Sequence, residues 1–129
     1  IFRLSGRKVT IAAEGAWLSA PNGITWNPAT GRFILAPFGG TAITAWSPGE
    51  TRADTIGTGP GGYDGVEVVA GEIYVTSWAD SSVFIVGADG NKKVITGANS
   101  PADIGVDPTR DLVAIPLFLE NKVEIWRVK

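Results

Sequence analysis

Short segments in which apolar and polar residues alternate follow one another along the whole chain. The segments ITAW, VFIV and VEIW begin at Ile43, Val83 and Val123, so successive starts lie 40 residues apart (83 − 43 and 123 − 83). Alternation with a period of two is typical of β-strands, whereas no segment shows a sustained helical period. The pattern therefore predicts an all-β chain built from a structural repeat of about 40 residues.

Two further sets of segments repeat with nearly the same spacing. The offsets are 40 and 39 residues in one set, and 42 and 38 residues in the other. The first set is residues 33–35, 73–75 and 112–114, and the second is residues 21–24, 63–66 and 101–104. Three independent landmarks that share one period are strong evidence for a repeat protein.

Each repeat is interpreted as four short strands, named a to d, that are separated by turn residues. In the central repeat the strands are predicted at residues 66–69, 73–76, 83–86 and about 92–95. Gly71 turns strand a into strand b, and the pair Asp89-Gly90 is a strong hairpin signal between strands c and d. Four antiparallel strands in a repeat of this length form the blade of a β-propeller.

Residues 1–129 are predicted to form a partial β-propeller of about three blades. Residues 1–11 match strands c and d, complete blades are predicted at 12–55 and 56–96, and residues 97–129 match strands a to c. Propellers commonly close by taking one strand from the other terminus, so we expect the C-terminal half of a longer propeller. Because each blade buries both faces, two apolar faces stay uncovered. The expected partner is a missing N-terminal half-propeller or a second copy of this chain.

Composition narrows the chemistry. A net charge of −2 without a basic cluster gives no electrostatic footprint for nucleic acid. No apolar run approaches the ~20 residues that cross a membrane, and no signal-peptide pattern opens the chain. Cys and His are both absent, which removes thiol nucleophiles, thiolate metal sites and the Ser-His-Asp triad and leaves the cellular compartment open. Any chemistry must use carboxylates, amides, amines or hydroxyls together with a hard metal ion.

The segments PNGITWNPATGRFIL and YDGVEVVAGEIYVTSW carry a resemblance to a known family. They resemble the Asn-Gly and Asp-Gly blades of the gluconolactonase/regucalcin (senescence-marker-protein) family of six-bladed propellers, which is close to the NHL-repeat type. The two motifs stand in the family's order, 42 residues apart. In that family the Asn and the Asp, with a Glu from an early blade, ligate a divalent cation at the central channel.

The resemblance implies that Asn22 and Asp64 are ligands of a divalent cation, with Ca2+ expected, and that the Glu lies outside this chain. The third motif has Ala102 at the equivalent position, which fits a blade without a ligand, next to Asp103. Convergence is also expected on geometric grounds, because Asn22 and Asp64 begin the innermost strand of successive blades. Oxygen ligands suit Ca2+ or Mg2+. A cation there would polarise an ester carbonyl, and Asp64 could act as the catalytic general base.

A simpler interpretation treats Asn-Gly and Asp-Gly as turn dipeptides that tolerate positive φ. Both interpretations stay open at this point. Glu67, inside strand a, is expected to need a partner such as an arginine. Residues 57–62 match GxGxxG literally, but no helix follows, so no nucleotide cofactor is expected.

The loops between strands b and c are expected to open on the same face as the candidate ligands. They present Phe38, Trp78 and Phe118, which would form the apolar rim of a small-molecule mouth, with Trp78 as the best candidate. The simpler role for residues in these loops is to fill the gaps between blades, and we expect that role for Leu117.

The leading hypothesis is therefore half of a gluconolactonase-like propeller that hydrolyses a lactone or a related ester at its central channel. One alternative is a non-catalytic propeller that binds a small ligand or a protein on its top face. Another is an engineered or ancestral repeat fragment that assembles without activity.

Overall fold

The computed structural model describes residues 1–128, and Lys129, the last residue of the predicted incomplete blade, lies outside them. The described chain forms thirteen β-strands in four antiparallel sheets, with short 3-10 helices at Ala16–Leu18 and Phe118–Glu120. The first sheet is a hairpin of β1 (Phe2–Ser5) and β2 (Lys8–Ile11). No helix among residues 1–128 is long and apolar enough to cross a membrane.

Three blades follow the hairpin. The first blade has the strand order β3-β4-β5-β6, with β3 Pro21–Asn27, β4 Arg32–Pro37, β5 Ala42–Trp46 and β6 Asp54–Thr58. The second blade has the order β7-β8-β9-β10, with β7 Tyr63–Val69, β8 Glu72–Ser77, β9 Ser82–Ile85 and β10 Lys92–Thr96. The third blade has three described strands, β11 Gly105–Asp107, β12 Leu112–Leu117 and β13 Lys122–Arg127.

The all-β architecture of antiparallel blades that the sequence predicts is confirmed. The turns predicted at Gly71 and Gly90 are present, and both glycines have positive φ, 86° and 119°. Strand β7 begins at Tyr63, three residues before the predicted start of strand a at residue 66. Strand β6 ends at Thr58, so it crosses the division after residue 55 that the sequence places between two blades.

One predicted register is wrong by one residue. The second strands of the three blades begin at Arg32, Glu72 and Leu112, so both offsets are 40 (72 − 32 and 112 − 72), not 40 and 39. A shift of one residue exchanges the two faces of a strand, and alternation normally reveals it. Here both faces carry apolar residues because a blade packs on both sides, and the periodicity cannot distinguish them.

The core consists of apolar clusters between successive sheets. Between the first and second blades, Ile43 and Phe84 are almost fully buried, as are Val83 and Val113 between the second and third. The equivalent residue of the third blade is not buried. Val123, which aligns with Ile43 and Val83, is 59% exposed. The forward face of the third blade is therefore uncovered within the described chain.

The hairpin leaves a second apolar face exposed at the other end of the row. Phe2 pairs with Ile11 and Leu4 pairs with Val9, so these four side chains share one face of the two-stranded sheet. Each of them is more than half exposed. The blade row therefore has an uncovered apolar face at each end.

Candidate functional site

Asn22-Gly23 and Asp64-Gly65 lie inside the inner strands of the first and second blades. Both dipeptides fall at irregularities in strand register, one between Pro21 and Gly23 in β3 and the other between Tyr63 and Val66 in β7. Neither glycine has the positive φ that a turn dipeptide would show. The turn interpretation is therefore wrong for both motifs.

Close approach of neighbouring blades explains the two glycines. A Cβ atom on Gly65 would lie 2.6 Å from the backbone nitrogen of Ile104, and a Cβ on Gly23 would collide with the carbonyl oxygen of Asp64. Only a residue without a side chain lets the inner strand of the next blade come so near. The residue before each glycine is thereby held at the inner edge of its blade, beside the following blade.

The three predicted rim aromatics occupy equivalent positions. Phe38, Trp78 and Phe118 follow the second strand of each blade and lie 40 residues apart (78 − 38 and 118 − 78). Each donates its backbone N–H to a carbonyl of the loop before the inner strand, over distances of 2.9, 2.9 and 3.0 Å. The acceptors are Ala20, Gly62 and Ser100, which lie two residues before the equivalent positions 22, 64 and 102. The fold therefore places every aromatic beside the start of an inner strand.

The rings of Phe38, Trp78 and Phe118 form one continuous group, which we call the aromatic row. Trp78 lies in the middle, with its ring centroid 5.8 Å from that of Phe38 and 5.8 Å from that of Phe118. Phe38 is 45% exposed and Phe118 is 65% exposed, so the outer rings face solvent. Leu117, by contrast, is buried between the second and third blades, as the packing role predicted for it requires.

Asp64 lies in an environment that opposes its negative charge. Burial raises the pKa of the Asp64 carboxyl, and the negative charge of Asp103 on the next blade raises it further. The indole N–H of Trp78 and the side-chain amide of Asn22 lower this pKa in part, but the net direction is upward. The buried Nε1 of Trp78 completes no hydrogen bond of good geometry, so its effect on Asp64 acts through proximity. Asn22, Asp64, Trp78 and Asp103 therefore share one neighbourhood.

Thr76 is a neighbour of the candidate site that the sequence did not reveal. Its side chain is fully buried, and its hydroxyl accepts a hydrogen bond from the Gly65 backbone N–H at 2.7 Å. The same hydroxyl donates to the Ala102 carbonyl at 2.9 Å, so it links the third blade to Gly65, the residue after Asp64. A polar residue within the apolar strand IYVTS was the available signal, because buried polar groups require partners.

Glu67 has a different partner from the one expected. The hydroxyl of Thr25, on the first blade, donates to a Glu67 carboxylate oxygen at 2.9 Å. The expectation of an arginine partner is therefore wrong. A hydroxyl satisfies the carboxylate at this position because the two inner strands, β3 and β7, lie side by side and Thr25 is within reach.

The donor chemistry at the inner rim fits a hard divalent cation. Asn22 offers an amide oxygen and Asp64 a carboxylate, which are the ligand types that Ca2+ and Mg2+ prefer. Within residues 1–128, no three carboxylate, imidazole or thiolate side chains gather into a group that could hold a metal. Asn22 and Asp64 alone would be only part of a complete ligand set for such a cation.

The solved structures that resemble this chain include a candidate gluconolactonase and a virginiamycin B lyase. A candidate gluconolactonase superposes with a TM-score of 0.63 at 18% identity, covering 88% of this chain and 41% of its own. A catalytically inactive histidine-to-alanine variant of virginiamycin B lyase from Staphylococcus aureus, with quinupristin, superposes with a TM-score of 0.53 at 15% identity, covering 85% and 42%.

At these identities the likeness establishes the fold, and it confirms the similarity to gluconolactonase-type propellers that the sequence predicts. The chain spans less than half the length of either structure. No protein-family profile matches the chain, and no curated protein matches it.

Proposed function

We propose that this chain is part of a metal-dependent propeller hydrolase that acts on a lactone or a related ester. The observation that carries the proposal is the pair Asn22 and Asp64, which occupy equivalent positions on neighbouring inner strands beside the aromatic row. The similarity in fold to a candidate gluconolactonase supports the reaction class.

Asn22 and Asp64 would hold the cation through their side-chain oxygens, with Ca2+ as the expected ion and the remaining ligands supplied from outside this chain. When bound, such a cation polarises a carbonyl and makes a bound water more acidic. Asp64 is the expected proton acceptor for the attacking water. The aromatic row would hold the apolar part of the substrate and exclude water from one side of the site.

A second candidate function is ligand binding without catalysis. It is favoured by one contrast within the site: three aromatic rings form a continuous group in the described chain, whereas no complete set of cation ligands gathers there. A binding propeller would need the row and the shape of the mouth but no proton acceptor. The two functions differ in what Asp64 must do, and that difference can be measured.

Two variants separate these functions in the assembled propeller. Asn22→Ala and Asp64→Ala are each expected to abolish the increase in melting temperature that Ca2+ produces, because each removes one of the oxygen donors. Asp89→Ala is a suitable control, since Asp89 lies in an exposed turn of another loop. An unchanged calcium response in both site variants would contradict the ligand assignment.

Asp64→Asn tests whether hydrolysis needs the Asp64 carboxylate, as the base, as a cation ligand or as both. The expected loss in the rate of lactone hydrolysis is about a hundredfold or more, the usual contribution of a general base. Hydrolysis at the full rate in this variant would show that Asp64 is not the base. If the parent protein binds a lactone without hydrolysing it, and Asp64→Asn still binds it, the non-catalytic candidate would be favoured.

We propose further that the missing blades of a half-propeller cover the two exposed end faces. The third blade has three described strands and the hairpin has two, whereas the internal blades have four.

Light scattering at micromolar concentration tests this partner proposal. No folded species with the mass of one chain is expected, because a monomer would expose both apolar end faces. A folded monomer would contradict the proposal. A stable dimer would identify a second copy as the partner in place of the missing blades.

A further inference from the structure

The repeat itself builds the aromatic row. Its three aromatic residues are spaced by 40 residues. The backbone N–H of each donates a hydrogen bond to a carbonyl of the loop that leads into an inner strand. These bonds fix the start of each loop relative to positions 22, 64 and 102. The row is therefore held in place by the scaffold of three successive blades, independently of how the rings pack against one another.

The loops that carry the aromatic row offer few free polar side chains to a ligand. The residues that directly follow the rings are Gly39, Ala79 and Leu119, none of which has a polar side chain. Asp80 is already engaged, because its carboxylate pairs with Lys93 at 2.7 Å and accepts the Ser82 hydroxyl at 2.6 Å. Glu120 is similarly paired with Lys122. The loop residues that flank the rings are therefore apolar or already paired, and the polar side chains near the row are Asn22, Asp64 and Asp103 beside Trp78.

An apolar surface of this kind discriminates among ligands. A sugar lactone placed on it would lose water from its hydroxyl groups and find few partners for them, and an unpaired polar group costs free energy when it is desolvated. A flat apolar ring loses nothing in this way, and it gains contacts with an exposed ring at either end of the row. Aromatic pairs are favourable when their centroids lie about 4.5–7 Å apart.

We infer that the ligand of this site is an ester or lactone that carries an aromatic ring, and that this ring stacks on the aromatic row. The position of the reacting carbonyl at Asp64 depends on the proposed function. The stacking does not, because it follows from the three rings and the loops around them. The ligand class is therefore an aryl-substituted lactone or ester in preference to a polyhydroxylated sugar lactone.

Binding of two probes to the assembled protein tests the inference by nuclear magnetic resonance. The probes are a phenyl-substituted γ-butyrolactone and glucono-δ-lactone, and the signal is the indole N–H of Trp78, assigned with the Trp78→Phe variant. The phenyl lactone is expected to shift this signal and to bind at least about tenfold more tightly than the sugar lactone. Phe118→Ala is expected to weaken the binding of the phenyl lactone about tenfold, the loss of one favourable ring pair.

Trp26 provides the matched control. It is also an exposed aromatic residue, 47% exposed, but it lies near the far end of β3 from Asn22. Its indole signal and the Trp26→Ala variant should show no response to the phenyl lactone. Should Phe118→Ala fail to fold, Phe118→Leu removes the ring while retaining apolar volume, and a similar loss of affinity is expected.

The outcomes distinguish this inference from the proposed function. Equal or tighter binding of glucono-δ-lactone, or binding of the phenyl lactone that neither Phe118 variant weakens, would overturn the inference. Binding of the phenyl lactone without hydrolysis would support the inference and contradict the hydrolase proposal. Selective hydrolysis of glucono-δ-lactone would do the reverse.

Discussion

The second and third blades share one strand order but differ at the inner rim. The second blade has Asp64-Gly65 there, and the third has Ala102-Asp103. Gly65 lies against the inner strand of the third blade, where a Cβ would come within 2.6 Å of backbone. Asp103 is exposed and carries a full side chain at the same position of its motif. The glycine thus marks a blade whose next neighbour approaches closely, whereas the residue before it determines the chemistry.

The aspartate that the third blade has in place of glycine also changes the charge around Asp64. Asp103 extends a carboxylate from the third blade into the neighbourhood of Asp64 and contributes to the raised pKa of that residue. Its own carboxylate also accepts the Ile104 backbone N–H at 2.9 Å, which holds the side chain near its strand. The third blade therefore acts on the site by its charge, while the first and second supply the candidate ligands.

Among the variants that test this difference between the blades, Gly65→Ala should have the largest effect on stability. The added Cβ meets backbone atoms of Asp103 and Ile104, which cannot move aside as a flexible side chain could. The expected loss in the free energy of unfolding is about 3 kcal/mol, measured from urea denaturation, because overpacking a close contact costs roughly this much.

Gly105→Ala is the control for this variant. Gly105 lies in the inner strand of the third blade, where a Cβ would be 3.8 Å from the nearest atom, that of Ala114. Its stability should stay within about 0.5 kcal/mol of the parent. Equal losses in both variants would show that close blade approach is not the reason for Gly65.

Much of this fold could be predicted from the sequence, and the reason is physical. Strands b and c repeat at fixed spacing with turn residues such as Gly71 and Gly90 between them, so local alternation and turn chemistry agree. The neighbourhood of Asn22 and Asp64 could also be predicted, since equivalent positions in stacked repeats point the same way. The equivalent loop positions of Phe38, Trp78 and Phe118 could be predicted in the same way, but the contacts between their rings could not.

Other features of the site could not be predicted. Glycine suits both a tight turn and a close backbone approach, so Gly23 and Gly65 could not be interpreted without the position of the next blade. The role of Thr76 depends on Ala102, 26 residues later, and no local pattern reports such a contact. The effect of Asp103 on Asp64 is likewise a contact between blades.

Thr76→Val should have the next largest effect. The substitution keeps the shape of the side chain but leaves the Gly65 N–H and the Ala102 carbonyl without their partner. Buried groups left unpaired cost about 1–3 kcal/mol, so we expect a loss of about 2 kcal/mol in urea denaturation. Thr96→Val is the matched control at an exposed site and should be nearly neutral. A neutral Thr76→Val would mean that the link between the blades contributes nothing to stability.

Asp103→Asn should have the smallest effect, and the effect depends on pH. The variant removes a negative charge beside Asp64, so the pKa of Asp64 should fall toward its ordinary value. A carboxyl whose pKa is raised by folding favours the folded state at low pH, and this contribution is lost as the pH rises through the folded-state pKa. In Asp103→Asn that loss should be smaller and should be complete at lower pH.

Two measurements check this prediction. The Asp64 carboxyl resonance gives its titration directly, and urea denaturation from acidic to neutral pH gives the stability. Asp89→Asn, in the exposed turn, controls for the change in net charge. A pKa of Asp64 that is unchanged in Asp103→Asn would show that burial alone raises it.

The central claim is that Asn22 and Asp64 form one cation site across two blades. A calcium titration of the assembled protein, followed at the backbone amides of Gly23 and Gly65, tests it most directly. The account predicts saturable shifts of both amides with one affinity, and the loss of both shifts in Asp64→Asn. Shifts that persist unchanged in that variant, or an absence of shifts in the parent protein, would contradict it.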